Sequence, residues 1–415
     1  MIKVEKIIPG GQALGTMDDG RKIFFWNALP GEDVLEYEIT KQKSHYLEAI
    51  ATKIEKPSNF RVEPKDTCFL STSPWQIIDW DYENQLKSEL VVEVFREHQI
   101  DIKTPEILTD NTPYFYRNKM EYALYWNNEL EKIQLAFHAR GSHRKIPIES
   151  SSIERPEIFA AASKIIQDLN NQHKEARQYQ SLLLRCNQNG EVSGGLYENH
   201  QPHPTFQNLT DKILGRTYSY SPNGFFQINL PVYELALKEI KKHIGTENVL
   251  DLYAGVGTIG LSTSPTHHLT LVEVDKSAYA ELYKNCNNIT IEDRLRLTRS
   301  GVSEASPITM GRSERVRNDN IIAVNAKSED VLNYIFSNQT VILDPPRAGC
   351  DKKLIDKLLE VTPKKIIYLS CNPATQARDV KILLEKYQIE EIKTFNFFPR
   401  TPHIENLVIL SSKSA

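Results

Sequence analysis

One stretch narrows the possible folds more than any other: Asp251-Leu252-Tyr253-Ala254-Gly255-Val256-Gly257-Thr258-Ile259-Gly260. An apolar strand, Val249 to Leu252, runs into a glycine-rich turn and then into a helical pattern. Further strands are predicted at Leu269 to Val274, Val341 to Leu343 and Ile366 to Leu369, with helices at Ala278 to Cys286 and Lys353 to Glu360. Strands alternating with helices predict an α/β fold, a parallel, doubly wound, Rossmann-like sheet from about residue 205 onward. Ligands of such sheets sit beyond the carboxyl ends of the strands.

The turn has the chemistry of a ligand site. Glycines lack a Cβ and let a ligand approach the backbone closely, and Gly255, Gly257 and Gly260 satisfy the Gly-x-Gly-x-x-Gly pattern. Glu273 ends the next strand roughly 20 residues on, where a carboxylate accepts hydrogen bonds from ribose hydroxyls. A nucleoside-containing cofactor is therefore expected, either a nicotinamide dinucleotide or S-adenosylmethionine. Asp251 offers a carboxylate to a cationic cofactor, and Asp344-Pro345-Pro346-Arg347 adds a second strand-end acid that hydride transfer does not require. These acids favour S-adenosylmethionine.

A different strand ends in Tyr368-Leu369-Ser370-Cys371-Asn372-Pro373. Cys371 thus stands where a nucleophile is useful. Taken alone, a small apolar cysteine in a strand-end pocket is the commoner outcome.

Upstream, residues 1–56 predict a small OB-like barrel of short strands with glycine-rich turns. Its Lys41, Lys43, His45, Tyr46, Lys53 and Lys56 suit a phosphate backbone as well as they suit a solvated surface. Residues 57–80 form a connector, and 81–111 a helical segment with Leu86, Leu90, Val91 and Val94 on one face. Residues 112–204 predict an α+β central domain and 205–415 the α/β domain. Arg140, His143, Arg144 and Lys145 form a basic loop cluster; Arg294, Arg296, Arg299, Arg312, Arg315 and Arg317 lie in an inserted segment, 293–319. A flexible charged loop is the default for that insertion.

At 415 residues, two or three domains are expected. The five cysteines lie far apart without a Cys-x-x-Cys pair, a pattern that suits a reducing cytoplasm. There is no signal-peptide core and no apolar run of membrane-spanning length. A net charge of −4 gives no global support for nucleic-acid binding, so any RNA would have to be held by local basic patches.

Taken together, Phe226-Gln227-Ile228-Asn229, Asp251 to Gly260, Val272-Glu273, Leu343 to Gly349, Ser370-Cys371-Asn372-Pro373 and Phe398 to Glu405 strongly resemble the S-adenosylmethionine-dependent RNA uracil-C5 methyltransferases that carry an N-terminal TRAM domain. The resemblance covers almost the whole chain. It implies that Cys371 is the nucleophile, Glu405 the general base, and Gln227, Tyr253, Glu273 and Asp344 cofactor contacts; Gly255 and Gly257 of the turn and Asn325 complete the expected cofactor site. It also implies that the helical segment packs with the catalytic domain. The product would be 5-methyluridine in RNA; barrel-bearing members point to 23S ribosomal RNA, with transfer RNA as the alternative. A cytoplasmic monomer is expected.

The sequence departs from this family twice. Many members bind an iron–sulfur cluster through four cysteines, but the matching loop, Pro64 to Trp75, holds only Cys68, and the later position falls within Glu149-Ser150-Ser151-Ser152. Four thiolates are not available, so neither an iron–sulfur cluster nor another metal is expected. Asn325 stands where the family often has an acid near the adenine; its amide can still pair with an exocyclic amine. Two rival readings remain. An exocyclic-amine methyltransferase normally follows its two prolines with an aromatic residue, where this chain has Arg347. A catalytically silent RNA chaperone would have no use for both Cys371 and Glu405.

Overall fold

The computed structural model describes residues 1–198, 200–203, 206–245, 247–264, 268–287, 316–318 and 321–413. The arginine-bearing insertion lies outside the described residues apart from Val316–Asn318. The chain forms two compact units. The first comprises Met1–Val94, Ile102–Gln207 and Asn396–Ile404; the second comprises Phe95–Asp101, Asn208–Phe395 and Glu405–Ala415.

In the first unit, β1 (Ile2–Ile7), β2 (Ala13–Thr16), β3 (Lys22–Trp26), β4 (Asp33–Gln42) and β5 (Tyr46–Lys56) close into a barrel of order β1-β2-β3-β5-β4. Alternating residues Val4, Ile23, Phe25, Val34, Leu47 and Ala49 fill it. Closure by β1 on β4, with β3 and β5 parallel, gives the OB-like form expected from the sequence. The predicted connector is tied down: Arg61 donates from Nε and Nη2 to the buried Glu32 at 2.6 and 2.8 Å. Glu32 also accepts from the backbone of Leu29 and Ser58.

After the single turn α1 (Phe69–Thr72), the helix α2 (Trp80–Glu97) and the short β6 (Glu106–Leu108) comes the central α+β sheet. It contains β7 (Lys119–Asn127), β8 (Lys132–His138), β9 (Lys145–Pro147), β10 (Ser181–Cys186), β11 (Val192–Glu198) and β12 (Gln201–His203), in the order β12-β11-β10-β7-β8-β9. The helix α3 (Pro156–Asn171) starts on a proline and packs against β8 and β10. Its buried face is Ile158, Ala162, Ile166 and Leu169. The predicted basic loop cluster is partly committed to internal contacts. Arg140 donates to Leu70 O at 2.5 Å with its guanidinium 4.1 Å from the Trp26 ring centre, and Lys145 donates to Leu124 O at 2.8 Å.

A buried ionic network joins α2 to the segment Asn396–Ile404. Lys87 is fully buried and donates to Asn396 Oδ1 at 2.6 Å and to Phe398 O at 3.1 Å, beside Glu83 at 3.0 Å. Arg400 donates from its backbone N to Glu83 and from Nη1 to Ile78 O. Glu83 and Lys87 thus have partners that offset their lost hydration, and Arg400 is paired through Nη1.

The second unit opens with the hairpin β13 (Leu209–Ile213) and β14 (Arg216–Tyr220), then α4 (Leu230–Lys242), β15 (Asn248–Leu252), α5 (Thr258–Thr263), β16 (Leu269–Glu273) and α6 (Lys276–Asn287). There follow β17 (Val316–Asn318), β18 (Ile321–Asn325), β19 (Gln339–Leu343), α7 (Lys352–Val361), β20 (Lys365–Ser370), α8 (Pro373–Leu383), β21 (Tyr387–Phe395) and β22 (Glu405–Ser412). The strand order is β17-β18-β16-β15-β19-β20-β22-β21. From β18 to β20 neighbours are parallel, whereas β22 lies antiparallel to both β20 and β21, and β17 antiparallel to β18. The parallel, doubly wound sheet expected from the sequence is present, with antiparallel strands added at its edges. No helix separates β21 from β22, and strands joined without a crossover run antiparallel.

Candidate active site

That antiparallel edge determines the site. Ser370 at the end of β20 pairs with Asn406 near the start of β22, so Cys371 and Glu405 flank one rung of the ladder at the carboxyl edge of the sheet. Gln376 locks this rung, donating to Tyr368 O and Asn406 O and accepting from Asn406 Nδ2. Leu343 lies opposite Tyr368, Leu252 opposite Leu343 and Val272, and Glu273 opposite Asn325. Asp344, Tyr253, Glu273, Asn325 and Cys371 therefore all end or follow strands along this edge.

Cys371 is held by a tight turn. Asn372 N donates to Ser370 Oγ at 3.1 Å; Asn372 Oδ1 caps α8 by accepting from Ala374 N at 3.2 Å. The Asn372 amide and the Thr375 hydroxyl both donate to Arg347 O, at 2.8 and 3.1 Å, fixing the loop after Asp344. Gly349 in that loop has φ +80°, and a Cβ there would lie 2.6 Å from Arg378 Nη2.

Electrostatics set the resting state. Burial pushes the Cys371 thiol up to about 11; the nearby Glu405 and Asp344 charges act in the same direction, and Arg347 opposes them. Burial raises Asp344 to about 7, and burial with the Asp344 charge holds Glu405 well above the usual carboxylate range. Cys371 thus rests as a thiol beside acids that burial holds above the usual carboxylate range.

The cofactor turn differs from its sequence reading in two respects. Of the three fingerprint glycines, Gly255 (φ +57°) faces open space. A Cβ on Gly257 would lie 2.6 Å from Leu282 Cδ1, and one on Gly260 2.8 Å from both Asp251 Oδ2 and Leu271 Cδ2, so these two serve internal packing. Asp251 is fully buried and accepts from Gly260 N at 2.8 Å; burial raises it to about 8, and its Oδ1 has no hydrogen-bond partner among the described residues. It staples the turn instead of offering an open carboxylate.

Glu273 accepts from Gly255 N at 2.8 Å and from Asp275 N at 2.7 Å, while Asn325 Nδ2 donates to Glu273 O at 2.8 Å. Tyr253 has φ +67°, a left-handed conformation that its sequence context gave no sign of. Gln227 is buried two residues before Asn229, whose Oδ1 accepts from Val232 N and caps α4. Phe226 stacks on Tyr220 with ring centres 3.9 Å apart. These residues fit S-adenosylmethionine. Gly255 leaves open space beside the Glu273 carboxylate, and the raised acids Asp344 and Glu405 mark a place where a sulfonium cation lowers the energy of the charged forms.

Comparison with known proteins agrees with this geometry. Residues 207–413 match the family described as tRNA (Uracil-5-)-methyltransferase. An uncharacterized RNA methyltransferase of Staphylococcus aureus (strain COL) is 28% identical over 94% of this chain and 93% of its own length. One from Bacillus cereus is 27% identical over 99% and 96%. The crystal structure of Pyrococcus abyssi tRNA (uracil-54, C5)-methyltransferase in complex with S-adenosyl-L-homocysteine superposes with a TM-score of 0.70, at 21% identity, covering 99% of this chain and 100% of that one. The chain belongs to the RNA (uracil-5-)-methyltransferase family. It is an S-adenosylmethionine-dependent enzyme acting on RNA.

In this methyltransferase the stretches that match the cluster loops hold a polar contact. Ser152 donates from N and Oγ to the buried Asp66 at 3.0 and 2.8 Å. Cys68 is buried, and burial followed by the Asp66 charge pushes its thiol up to about 11. Among the described residues no group of three or more His, Cys, Asp or Glu is placed to hold a metal ion. No helix among them is long and apolar enough to cross a membrane.

Proposed function

We propose that this methyltransferase methylates carbon 5 of a specific uridine through a covalent Cys371–uracil adduct, with ribosomal RNA as the favoured substrate. The observation that carries the reading is the rung Ser370–Asn406, which sets Cys371 and Glu405 side by side with Asp344 at the same edge. Uracil carbon 5 is a poor nucleophile. Addition of the Cys371 thiolate at carbon 6 moves the ring's electron pair to oxygen 4, and the resulting enolate is nucleophilic at carbon 5. S-adenosylmethionine, when bound, supplies the methyl group. Gln227, Tyr253, Gly255, Gly257, Glu273, Asn325 and Asp344 hold the cofactor, Gly257 through its packing of the turn. Glu405 then removes the carbon 5 proton, and the electron pair expels Cys371 as carbon 5–carbon 6 unsaturation returns.

Because the thiol rests protonated, its proton must leave as substrate binds, with Arg347 the cation beside it. The base must leave its stack to reach Cys371, and the barrel with the central sheet provides surfaces to hold folded RNA. Transfer RNA is the second reading, since the Pyrococcus abyssi enzyme is a transfer RNA methyltransferase by its description. We place the protein in the cytoplasm as a monomer; its five cysteines are all free thiols.

RNA containing 5-fluorouridine cannot lose its carbon 5 substituent as a proton and traps the adduct. Wild-type protein is expected to give a denaturation-stable RNA adduct and Cys371→Ser none; an adduct that persists in Cys371→Ser sinks the mechanism. Assays on unmodified ribosomal and transfer RNA transcripts, with mapping of 5-methyluridine, decide the substrate.

A further inference from the structure

Just ahead of β7, an aromatic ring is held in an unusual place. Phe115 has φ +57°, a region that bulky residues rarely adopt, and it is 45% exposed. A single exposed ring is ordinary, but a strained one persists only where its surroundings impose the conformation. Phe115 N donates to Ser152 O at 2.8 Å, and Arg117 N to Ile153 O at 3.1 Å. Ser152 is fixed in turn by Asp66, which also accepts from Gln76 Nε2 at 2.7 Å. Gln76 Oε1 accepts from the backbone N of Lys65 and Asp66 at 2.9 and 3.1 Å. One buried knot, Asp66–Gln76–Ser152, thereby fixes both the segment bearing Phe115 and the turn bearing Lys65.

These two residues belong to an array of rings and cations. The Lys65 ammonium lies 4.5 Å from the Tyr114 ring centre and 5.1 Å from that of Phe115. The Arg400 guanidinium lies 5.1 Å from both Tyr114 and Trp80. The series runs from the buried Arg400 outward to an exposed ring with an exposed ammonium beside it. An unpaired nucleobase needs an aromatic face, and its phosphate needs a nearby cation.

We propose that Phe115, Tyr114 and Lys65 form a stacking site for an unpaired base of the RNA substrate, with the Asp66–Gln76–Ser152 knot holding it rigid. This rests on the RNA reading above. It also gives the cluster-like loop a purpose, since a hydrogen-bonded knot presents an RNA contact where relatives of the resembled type place cysteines.

The test uses the full-length protein. Phe115→Gly removes the ring and suits the left-handed backbone, so the fold is retained; Phe115→Trp keeps an aromatic face. With unmodified ribosomal and transfer RNA transcripts, Phe115→Gly is expected to raise the Kd and KM for RNA by roughly 5- to 150-fold, the range for loss of one stacked base. Its kcat, its affinity for S-adenosylhomocysteine and its Tm should be unchanged or, for Tm, higher. Phe115→Trp is expected to restore RNA affinity, and Lys65→Gln to lower the salt slope of binding by about 1. RNA binding by Phe115→Gly equal to wild type overturns the proposal, as does a Phe115→Trp protein as weak as Phe115→Gly. A wild-type protein that binds RNA but methylates no uridine sinks the catalytic reading, and the filter-binding comparison still decides the role of Phe115. Failure of wild type to bind either transcript overturns the stacking site as well.

Discussion

Cys371 is half-buried beside two acids and one guanidinium; burial first, and the acids with it, push its thiol up to about 11 against the pull of Arg347, far above an activated thiol. In the ligand-free protein, alkylation by iodoacetamide is therefore expected to be slow at pH 7 and to climb steadily through pH 9 to 11 without an early plateau. Glu405→Gln removes a charge that raises the thiol, so the whole profile should move to lower pH; a plateau near neutrality in wild type refutes this account. The acids also carry a stability consequence. A carboxyl raised on folding holds its proton in the native state after the unfolded chain has released it, so its contribution is fully present below pH ~4 and declines as pH rises through the folded value. For Asp344 that window runs from its ordinary 3.8 to about 7. Asp344→Asn and Glu405→Gln should each raise Tm by about 2–4 °C at pH 8 and hardly at all at pH 4, read by scanning calorimetry. The types and order of Cys371, Glu405 and Asp344 were legible in the sequence. Their mutual pKa shifts were not, because those depend on burial and on which strand edges meet.

Among elements, the glycine turn separates two kinds of position that look alike in sequence. Gly260→Ala must push its new Cβ into Asp251 and Leu271, both buried, and is expected to cost about 1–3 kcal/mol in denaturant melts. Gly255→Ala meets no neighbour but forces an alanine to φ +57°; it should cost less stability while weakening S-adenosylhomocysteine binding more. If both variants lose stability equally and keep the ligand, the division of labour is wrong. The four strands and two helices named in the α/β domain were readable from periodicity, with ends shifted by a residue or two, whereas α4, α8 and β21 were not read. The antiparallel β22 was not, since no local pattern in Asn406 to Leu410 distinguishes an antiparallel neighbour from a parallel one. Yet its direction is what carries Glu405 to the edge where Cys371 lies.

At the scale of the molecule, a chain of net charge −4 that acts on RNA must concentrate its cations locally. RNA affinity should accordingly fall steeply between about 50 and about 200 mM salt, with S-adenosylhomocysteine affinity nearly constant. Parallel titrations check this, and equal salt dependence of the two ligands contradicts it. The N-terminal barrel could be anticipated from its short strands and glycine-rich turns. What could not be read was that Asn396–Ile404 belongs to the unit begun at Met1. Its tie to α2 runs through Glu83, Lys87 and Arg400, charged residues that in sequence resemble an ordinary solvated face.

That tie sets a schedule for synthesis. Lys87 and its partner Asn396 are 309 residues apart in the chain. At translation rates of about 5–20 residues per second, a nascent chain holds Lys87 for roughly 15–60 s before Asn396 is made. Throughout that interval the ammonium must stay hydrated, so α2 cannot bury it in its final place. The unit that holds Met1–Val94 therefore cannot finish folding until Asn396–Ile404 has been made.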